Sequence, residues 1–324
     1  MTSLLEIHDL STHFHTSRGV VRAVDGVHLV IRKGEAVGLV GESGCGKTMT
    51  AFSVMRLVPT PGKIIGGEVW LGYDDGRKDL TKLPEEEMRR VRGEKISMVF
   101  QDPMTYLNPV MKICDQIAEV ITLHQGIPRG EARKKAIELL AKVRVPIPSI
   151  VAQYYPHELS GGMRQRALIA MAISCNPELL IADEPTTALD VTVQAQVLEL
   201  IRQLKHEMGM ALMLITHDLG IVADTCDRVC VMYAGRIVEE GGVYEIYRKP
   251  RHPYTEGLLK STLSIDEFKE SLVTIEGTVP DLTNLPRGCS FTPRCPHASA
   301  RCRESQPPVI ELSGGAKVTC WLYA

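Results

Sequence analysis

The chain has 324 residues and a formal net charge of −2, and 44% of its residues are hydrophobic. These values are ordinary for a globular protein with a real core, and they lack the strong basic excess typical of a nucleic-acid-binding domain. We find no basic-then-apolar start typical of a secretory signal and no apolar stretch near the roughly 18 residues that suggest a membrane span. We therefore expect any role at a membrane to depend on a partner.

The predicted elements alternate between strands and helices along the chain. Strands are predicted at 4–14, 36–40, 95–100, 179–182 and 211–215, with hairpins near 27–33 and 228–239, and helices at 49–57, 131–143, from Ser160, and at 191–208. The segment from about 104 to 156 has a helical character. Alternation of this kind predicts an α/β fold whose largely parallel sheet is covered on both faces. From about Pro250 the share of prolines, arginines and cysteines rises, which indicates a separate small module.

Residues 41–48 read GESGCGKT and fit the phosphate-binding pattern G-x-x-x-x-G-K-[ST], with a predicted strand before and a predicted helix after. The glycines let backbone N–H groups turn towards a phosphate, and the start of the helix adds a favourable dipole. We expect Lys47 to bridge the β- and γ-phosphates of a nucleotide and the Thr48 hydroxyl to ligate Mg²⁺. Cys45 is interpreted as a small loop residue, with a redox sensor as the less favoured alternative.

A second motif is a pair of acidic residues at the end of an apolar strand. The strand Leu179 to Ala182 leads directly into Asp183 and Glu184. The carboxyl ends of strands are where α/β sheets place their ligands. We expect Asp183 to hold Mg²⁺ and Glu184 to polarise the attacking water as a general base. Taken alone, the pair could equally be a solvated strand end, and it is the nearby phosphate-binding loop that favours catalysis.

Residues 159–166 read LSGGMRQR, in which Ser160 is a predicted helix N-cap followed by Gly161 and Gly162. On spacing alone this is an ordinary capped helix. Together with the phosphate-binding loop, the segment resembles the signature of ABC ATPases. Further segments match the same family in order: Gln101 at the Q-loop, 188–190 (ALD) at the D-loop, and His217 at the switch histidine.

The resemblance implies a P-loop ABC-type nucleotide-binding domain with a RecA-like core, an antiparallel β subdomain and an α-helical subdomain at about 104–165. It implies two such domains that meet head to tail and hold ATP between one phosphate-binding loop and the opposing Ser160, Gly161 and Gly162. Phe14 matches the aromatic residue that stacks on adenine, with simple core packing as the rival interpretation. The implied nucleotide contacts are Phe14, Gly41, Ser43, Gly44, Cys45, Gly46, Lys47, Thr48, Met49, Ser160, Gly161, Gly162, Asp183 and Asp190. The implied catalytic set is Glu184, His217 and Gln101, and the implied Mg²⁺ ligands are Thr48, Gln101 and Asp183.

Three further stretches narrow the resemblance to the ATP-binding subunits of bacterial dipeptide and oligopeptide ABC importers. They are 101–109 (QDPMTYLNP) and the tail segments 250–255 (PRHPYT) and 288–295 (GCSFTPRC). The family usually has Ser where this chain has Tyr106, which bears on the pocket that receives the permease. The resemblance implies partners: a second ATPase subunit (a paralogue or a second copy), two permease subunits and an extracytoplasmic peptide-binding protein, at the cytoplasmic face of the plasma membrane. A nickel importer subunit is the close alternative, and a non-transport ABC ATPase is the more distant one.

Four of the nine cysteines crowd into the tail with the spacing C-x5-C-x6-C-x17-C: Cys289, Cys295, Cys302 and Cys320. Structural zinc sites usually use pairs two to four residues apart, and bacterial ferredoxins use C-x2-C-x2-C, so the spacing alone predicts only four thiolates able to converge. The resemblance to the importer tail favours a [4Fe-4S] cluster, with zinc as the alternative. We therefore predict an ABC ATPase domain at 1–250 and a peptide-importer extension with the four-cysteine motif at 251–324.

Overall fold

The structure is a computed structural model that describes residues 2–73, 76–187, 189–261 and 275–324. Its strands are Ser3–Thr16 (β1), Gly19–Arg32 (β2), Ala36–Val40 (β3), Gly62–Tyr73 (β4), Gly76–Asp79 (β5), Ile96–Val99 (β6), Leu179–Asp183 (β7), Ala211–Thr216 (β8), Arg228–Tyr233 (β9), Arg236–Gly242 (β10), Ile310–Glu311 (β11) and Lys317–Val318 (β12). Its helices are Lys47–Val54 (α1), Glu85–Glu94 (α2), Pro103–Tyr106 (α3), Ile113–Gln125 (α4), Arg129–Lys142 (α5), Pro148–Val151 (α6), Gly161–Ala172 (α7), Val191–Met208 (α8), Leu219–Thr225 (α9), Val243–Arg248 (α10), Pro253–Ser261 (α11) and Ala300–Glu304 (α12).

The predicted strands and helices are confirmed to within a few residues, with one correction. The segment 27–33 is not a hairpin; it is the end of the long strand β2, whose partner is β1. The reversal between these strands lies earlier, at residues 17–18, where Gly19 adopts a φ of 128° that favours glycine. The predicted hairpin at 228–239 is confirmed as β9 and β10, with Ala234 and Gly235 at positive φ in its turn.

One compact unit, here called the sheet unit, comprises Leu5–Ile31, Ala36–Thr81 and Leu214–Ala324. It contains an antiparallel sheet in the order β2-β1-β4-β5. A second group of strands runs in the order β11-β12-β10-β9-β3, in which β3 is parallel to β9 and the other pairings are antiparallel. Every residue of β3 is buried, as expected for an apolar strand covered on both faces. The phosphate-binding loop begins where this strand ends.

The other compact unit, the helical unit, comprises Arg32–Glu35, Lys82–Met213 and the N-terminal residues to Leu4. Its strands β6 and β7 are parallel, and its helices α4 and α5 pack against each other and against α7. Ala132, Ala136 and Leu140 recur every four residues on α5 and are all buried, as expected for a helix with one apolar face. The chain passes from this unit to the sheet unit within β8.

The C-terminal residues 275–324 belong to the sheet unit. Strand β12 extends it by pairing with β10, with Val318 opposite Glu239. Phe291 joins Tyr233 and Tyr254 in the apolar core of the unit, and these rings are 2%, 1% and 0% exposed. None of the helices in the described ranges reaches the length and apolar character that a bilayer crossing demands.

Candidate nucleotide-binding site

The backbone of the phosphate-binding loop is fixed by close contacts that two of its glycines alone permit. A Cβ atom on Gly41 would lie 2.2 Å from the carbonyl oxygen of Met232 on β9, and one on Gly46 would lie 2.1 Å from that of Ala23 on β2. Both glycines also have positive φ, at 155° and 110°. Any larger residue at either position would push the loop off the strands that support it.

Lys47 lies inside this loop and is 5% exposed. Its Nζ donates hydrogen bonds to the carbonyl oxygens of Gly41 at 2.8 Å and Glu42 at 3.1 Å. The ammonium group is therefore held at the centre of the loop by backbone oxygens. Thr48 and Met49 follow it in the first turn of α1, which begins at the loop as the sequence pattern predicts.

The buried thiol of Cys45 fits the interpretation of a small loop residue. Its side chain is 0% exposed, and burial raises the pKa of the thiol, with a partial opposing effect from Lys47. A reactive cysteine needs an accessible thiolate, which this position disfavours.

Glu42 has partners that sequence reasoning missed. Its carboxylate accepts two hydrogen bonds from the guanidinium of Arg294, at 2.7 and 3.0 Å, and its backbone N–H donates to the Tyr254 hydroxyl at 2.9 Å. Both partners lie in the tail segments that the sequence marked only by family resemblance. The two hundred or more residues that separate them from the loop left no local pattern to reveal the contact.

In the helical unit, the structure brings Gln101 and Glu184 together. Glu184 Oε2 accepts hydrogen bonds from Gln101 Nε2 at 2.9 Å and from Thr187 Oγ1 at 3.0 Å. Glu184 also has a φ of 44°, a left-handed conformation that is rare for a residue with a side chain and often marks functional positions. Thr187 was not among the sequence-derived residues. Asp183, at the end of β7, is 2% exposed.

The signature segment caps helix α7 at the surface of the helical unit. Ser160 Oγ accepts a hydrogen bond from the backbone N–H of Met163 at 3.4 Å, as the N-cap interpretation predicts. A Cβ on Gly162 would lie 2.7 Å from Val193 Cγ1 of α8, whereas one on Gly161 would lie 3.3 Å from Leu189 Cδ2. One glycine is thus needed for helix packing, and the other has more room.

Asp190 similarly caps α8, because its Oδ1 accepts a hydrogen bond from the backbone N–H of Val193 at 2.9 Å. The neighbouring D-loop position Ala188 lies outside the described residues.

Phe14 and His217, both in the sheet unit, have different surroundings. The Phe14 ring lies against Gly62, where a Cβ would come within 2.6 Å of Phe14 Cε1, and the residue is partly exposed. This arrangement is compatible with both adenine stacking and packing. His217 follows the last residue of β8 and is exposed.

The Q-loop region presents an exposed aromatic and apolar surface on the helical unit. The Tyr106 ring stacks on Phe100 with 3.8 Å between centroids and an interplanar angle of 10°. Tyr106 is still 42% exposed, and Met104 and Val110 are 47% and 80% exposed. The unusual tyrosine is thus held in place by its neighbour and remains available for contact.

Burial raises the thiol pKa of three of the four tail cysteines, Cys289, Cys295 and Cys320. Burial, and then the neighbouring thiols of Cys289, Cys295 and Cys302, raise the pKa of Cys320 to about 11. The N–H of Cys289 donates to the carbonyl oxygen of Cys302 at 2.8 Å, which ties two of the segments together. Within the described ranges, no group of three or more His, Cys, Asp or Glu side chains is arranged to hold a single metal ion. The thiols are neighbours, but not at the spacing of a closed one-ion site.

Two family models match the chain. The model described as ABC transporter matches residues 24–187, and the model described as oligopeptide/dipeptide transporter, C-terminal region, matches residues 238–302.

Full-length relatives are about half identical to this chain. A probable peptide ABC transporter ATP-binding protein y4tR of Sinorhizobium fredii is 52% identical, covering 98% of this chain and 94% of that protein. The oligopeptide transport ATP-binding protein AppD of Bacillus subtilis is 50% identical, covering 100% and 98%. The oligopeptide transport ATP-binding protein OppD of Salmonella typhimurium is 48% identical, covering 98% and 93%.

A solved structure of the dimeric post-hydrolysis state of the ATP-binding cassette MJ0796, bound to ADP and Pi, is similar with a TM-score of 0.66 and 26% identity. It covers 74% of this chain and 99% of that one. A structure of cbiO1 from Clostridium perfringens, part of the ABC transporter complex cbiONQ, has a TM-score of 0.63 at 25% identity, covering 77% and 92%.

Proposed function

The chain belongs to the ATP-binding proteins of oligopeptide and dipeptide ABC transporters, and we propose that it hydrolyses Mg-ATP to drive peptide import through a membrane permease. The observation that carries this proposal is the similarity of about 50% over nearly the whole chain, tail included, to proteins described as peptide transport ATP-binding subunits. The match of residues 238–302 to the transporter-specific C-terminal region supports peptides over other cargo. In this proposal the ATPase domain spans residues 1–250 and the peptide-importer extension spans residues 251–324.

Each side chain of the nucleotide site has a proposed role. Lys47 binds the β- and γ-phosphates, aided by the backbone of residues 41–49, and Phe14 stacks on adenine. Thr48, Gln101 and Asp183 offer the hard oxygen ligands that suit Mg²⁺, which neutralises phosphate charge when bound. Glu184 accepts a proton from the attacking water, with Gln101 and Thr187 orienting its carboxylate. His217 contacts the γ-phosphate and helps to position the water.

The exposed N-terminus of α7 is proposed to complete the site of a second ATPase subunit. Ser160 and Gly161 present backbone N–H groups and a helix dipole at a surface position, which suits a phosphate. Asp190, at the start of α8, borders the same surface. Because catalysis of phosphoryl transfer depends mainly on positioning and charge, a site split between subunits would make ATP a dimerisation switch.

The permease is proposed to bind the exposed surface around Met104, Tyr106 and Val110. Apolar and aromatic side chains that remain exposed in this way are typical of protein contact surfaces. With this contact, we propose that the subunit works at the cytoplasmic face of the plasma membrane and that a peptide-binding protein is reached through the permease.

A [4Fe-4S] cluster on Cys289, Cys295, Cys302 and Cys320 is also proposed. The hydrogen bond from the Cys289 backbone N–H to the Cys302 carbonyl oxygen, at 2.8 Å, brings two of the four cysteines together and supports a common site. A zinc ion held by the same four thiolates is the alternative occupant. Such a cluster would act as a structural staple for a segment with little core. Four irons per chain and absorption near 400 nm are expected; one zinc in a colourless protein would contradict this.

Transport assays test the main proposal. A strain without this chain is expected to lose uptake of labelled di- and oligopeptides, and complementation with the wild type, but not with Lys47→Ala, is expected to restore it. Loss of nickel uptake with peptide uptake retained would instead indicate a nickel importer. ATPase activity stimulated by DNA or ribosomes, and not by the permease, would contradict a transport role.

A further inference from the structure

The tail of the chain holds the phosphate-binding loop through one residue, Glu42. All three polar groups of Glu42 have partners: the N–H donates to Tyr254, the carbonyl accepts from Lys47, and the carboxylate accepts from Arg294. Glu42 is therefore a direct link between the nucleotide-binding lysine and two residues of the tail.

Arg294 is built into its position. Its side chain is 3% exposed, and all five guanidinium N–H donors find acceptors. Two donate to the Glu42 carboxylate at 2.7 and 3.0 Å, and the others to the Tyr233 hydroxyl at 3.5 Å and to the carbonyl oxygens of Glu276 at 3.0 Å and Ile275 at 3.2 Å. A fully satisfied guanidinium that grips a carboxylate with two parallel bonds fixes geometry as well as charge.

Arg294 packs against a cluster of buried aromatic rings. The ring centroids of Tyr233 and Tyr254 are 4.5 Å apart, and those of Tyr233 and Phe291 are 5.2 Å apart. The Arg294 guanidinium lies 5.9 Å from the centre of the Tyr233 ring. Because these rings are buried, the position of the guanidinium follows the position of the tail.

Resting on the proposed binding of ATP at this loop, we infer that Arg294 and Tyr254 are positioning residues for Lys47, acting through Glu42. They hold the loop in the shape that receives the phosphates, and so the C-terminal extension sets the affinity for nucleotide. Arg294 directly precedes Cys295. The segment that carries the cysteines is therefore joined to the nucleotide site through the side chains of Arg294 and Glu42.

The test is a double-mutant cycle on the full chain with Arg294→Gln, Glu42→Gln and both together. The readout is the Kd for a fluorescent Mg-ADP analogue and the KM and kcat for Mg-ATP. Each single change is expected to raise the Kd about tenfold and to raise the KM with it. Tenfold corresponds to the low end of the free energy lost with a charge-assisted hydrogen bond. The double variant is expected to bind nucleotide with an affinity no lower than that of the single variant that binds less tightly. Arg294→Lys, which keeps the charge and loses the fork, is expected to recover part of the affinity.

Arg228→Gln is the matched control, because Arg228 forms a partly buried ion pair with Glu240 in the same unit without contacting Glu42. It is expected to lower thermal stability while leaving the Kd within twofold of wild type. Additive effects in the cycle, or an unchanged Kd in folded Arg294→Gln, would overturn the inference. If Arg294→Gln does not fold, Tyr254→Phe removes only the hydroxyl that holds the Glu42 N–H; weaker binding supports the inference, and unchanged binding overturns it. Failure of wild-type protein to bind Mg-ATP would instead overturn the proposed function.

Discussion

The two groups of nucleotide-site residues differ in how the fold holds them. Around the phosphate-binding loop, Lys47 is 5% exposed and is held by backbone oxygens, while Glu42 is fixed by buried residues from the far end of the chain. In the helical unit, Gln101, Ser160 and Asp190 are exposed and are held by one or two bonds within their own unit.

The difference teaches that the loop is pre-shaped by the fold, whereas the second group presents its groups outward. A pre-shaped cradle suits the tight binding of phosphates, because little has to reorganise when the ligand arrives. An exposed helix N-terminus suits residues that would act on a nucleotide held by another subunit. Changes in the first group should therefore alter affinity and stability, and changes in the second should alter turnover and assembly.

The largest expected effect is on turnover, from Glu184→Gln in the helical unit. Removing a general base costs about 10²- to 10⁴-fold in rate, so ATPase activity should fall by about a thousandfold while ATP binding is retained. Size-exclusion chromatography with ATP should then show a trapped dimer. Glu199→Gln, on the exposed side of α8, is the control and should keep full activity. Full turnover in Glu184→Gln would contradict the assignment of the base.

The next effect is a loss of stability in acid caused by His252, a residue of the sheet unit whose Nδ1 accepts a hydrogen bond from the Tyr254 backbone N–H at 3.1 Å. This ring is 1% exposed, and burial lowers its pKa to about 3. The unfolded chain binds the proton near pH 6.5 and the folded one does not, so stability falls as the pH falls from about 6.5 towards 3. The loss amounts to about 2 kcal/mol at pH 5.

His252→Gln should remove this loss, measured as the free energy of unfolding of both proteins at pH 7.5 and pH 5. Burial raises the pKa of the neighbouring Glu239 carboxyl, which acts in the opposite direction as the pH falls. Because both proteins contain Glu239, the difference between them isolates His252. An equal acid loss in the two proteins would show that the ring is not kept neutral by the fold.

Smaller effects on stability and activity separate packing from function at the two glycines that begin α7. Gly162→Ala should destabilise the protein by about 1–2 kcal/mol, because its Cβ would lie 2.7 Å from Val193 Cγ1. Gly161→Ala should leave stability within about 0.5 kcal/mol of wild type and still lower ATPase activity at least about tenfold, since its methyl group blocks a phosphate. Thermal unfolding and ATPase assays check both variants. Full activity in Gly161→Ala would remove the argument for an anion contact there.

The smallest expected effect decides the role of Phe14. If the ring stacks on adenine, Phe14→Leu should weaken Mg-ATP binding about fivefold, the low end of the energy of base–aromatic stacking. Phe14→Tyr, which keeps a ring, should bind normally. A loss of stability in Phe14→Leu with unchanged nucleotide affinity would show that the ring only packs against Gly62.

Local patterns predicted most of the secondary structure and marked the chemical residues. The motif at 41–48 lies between a strand and a helix as expected, and α8 matches its predicted bounds, because the apolar period and the caps at Asp190 and Gly209 are local signals. The hairpin predicted at 27–33 was wrong because the chain reverses ten residues earlier, at a turn with little sequence signal.

By itself, the sequence determined the family and predicted the phosphate-binding loop and the residues that act on ATP, since each depends on residue types at short spacing. Only the tertiary structure decided which residues hold those groups. It brought Thr187 and Gln101 to Glu184, and it brought Arg294 and Tyr254 to Glu42 from more than two hundred residues away. The sequence around Arg294 does not indicate which carboxylate its guanidinium binds, because the packing of Tyr233, Tyr254 and Phe291 determines that partner.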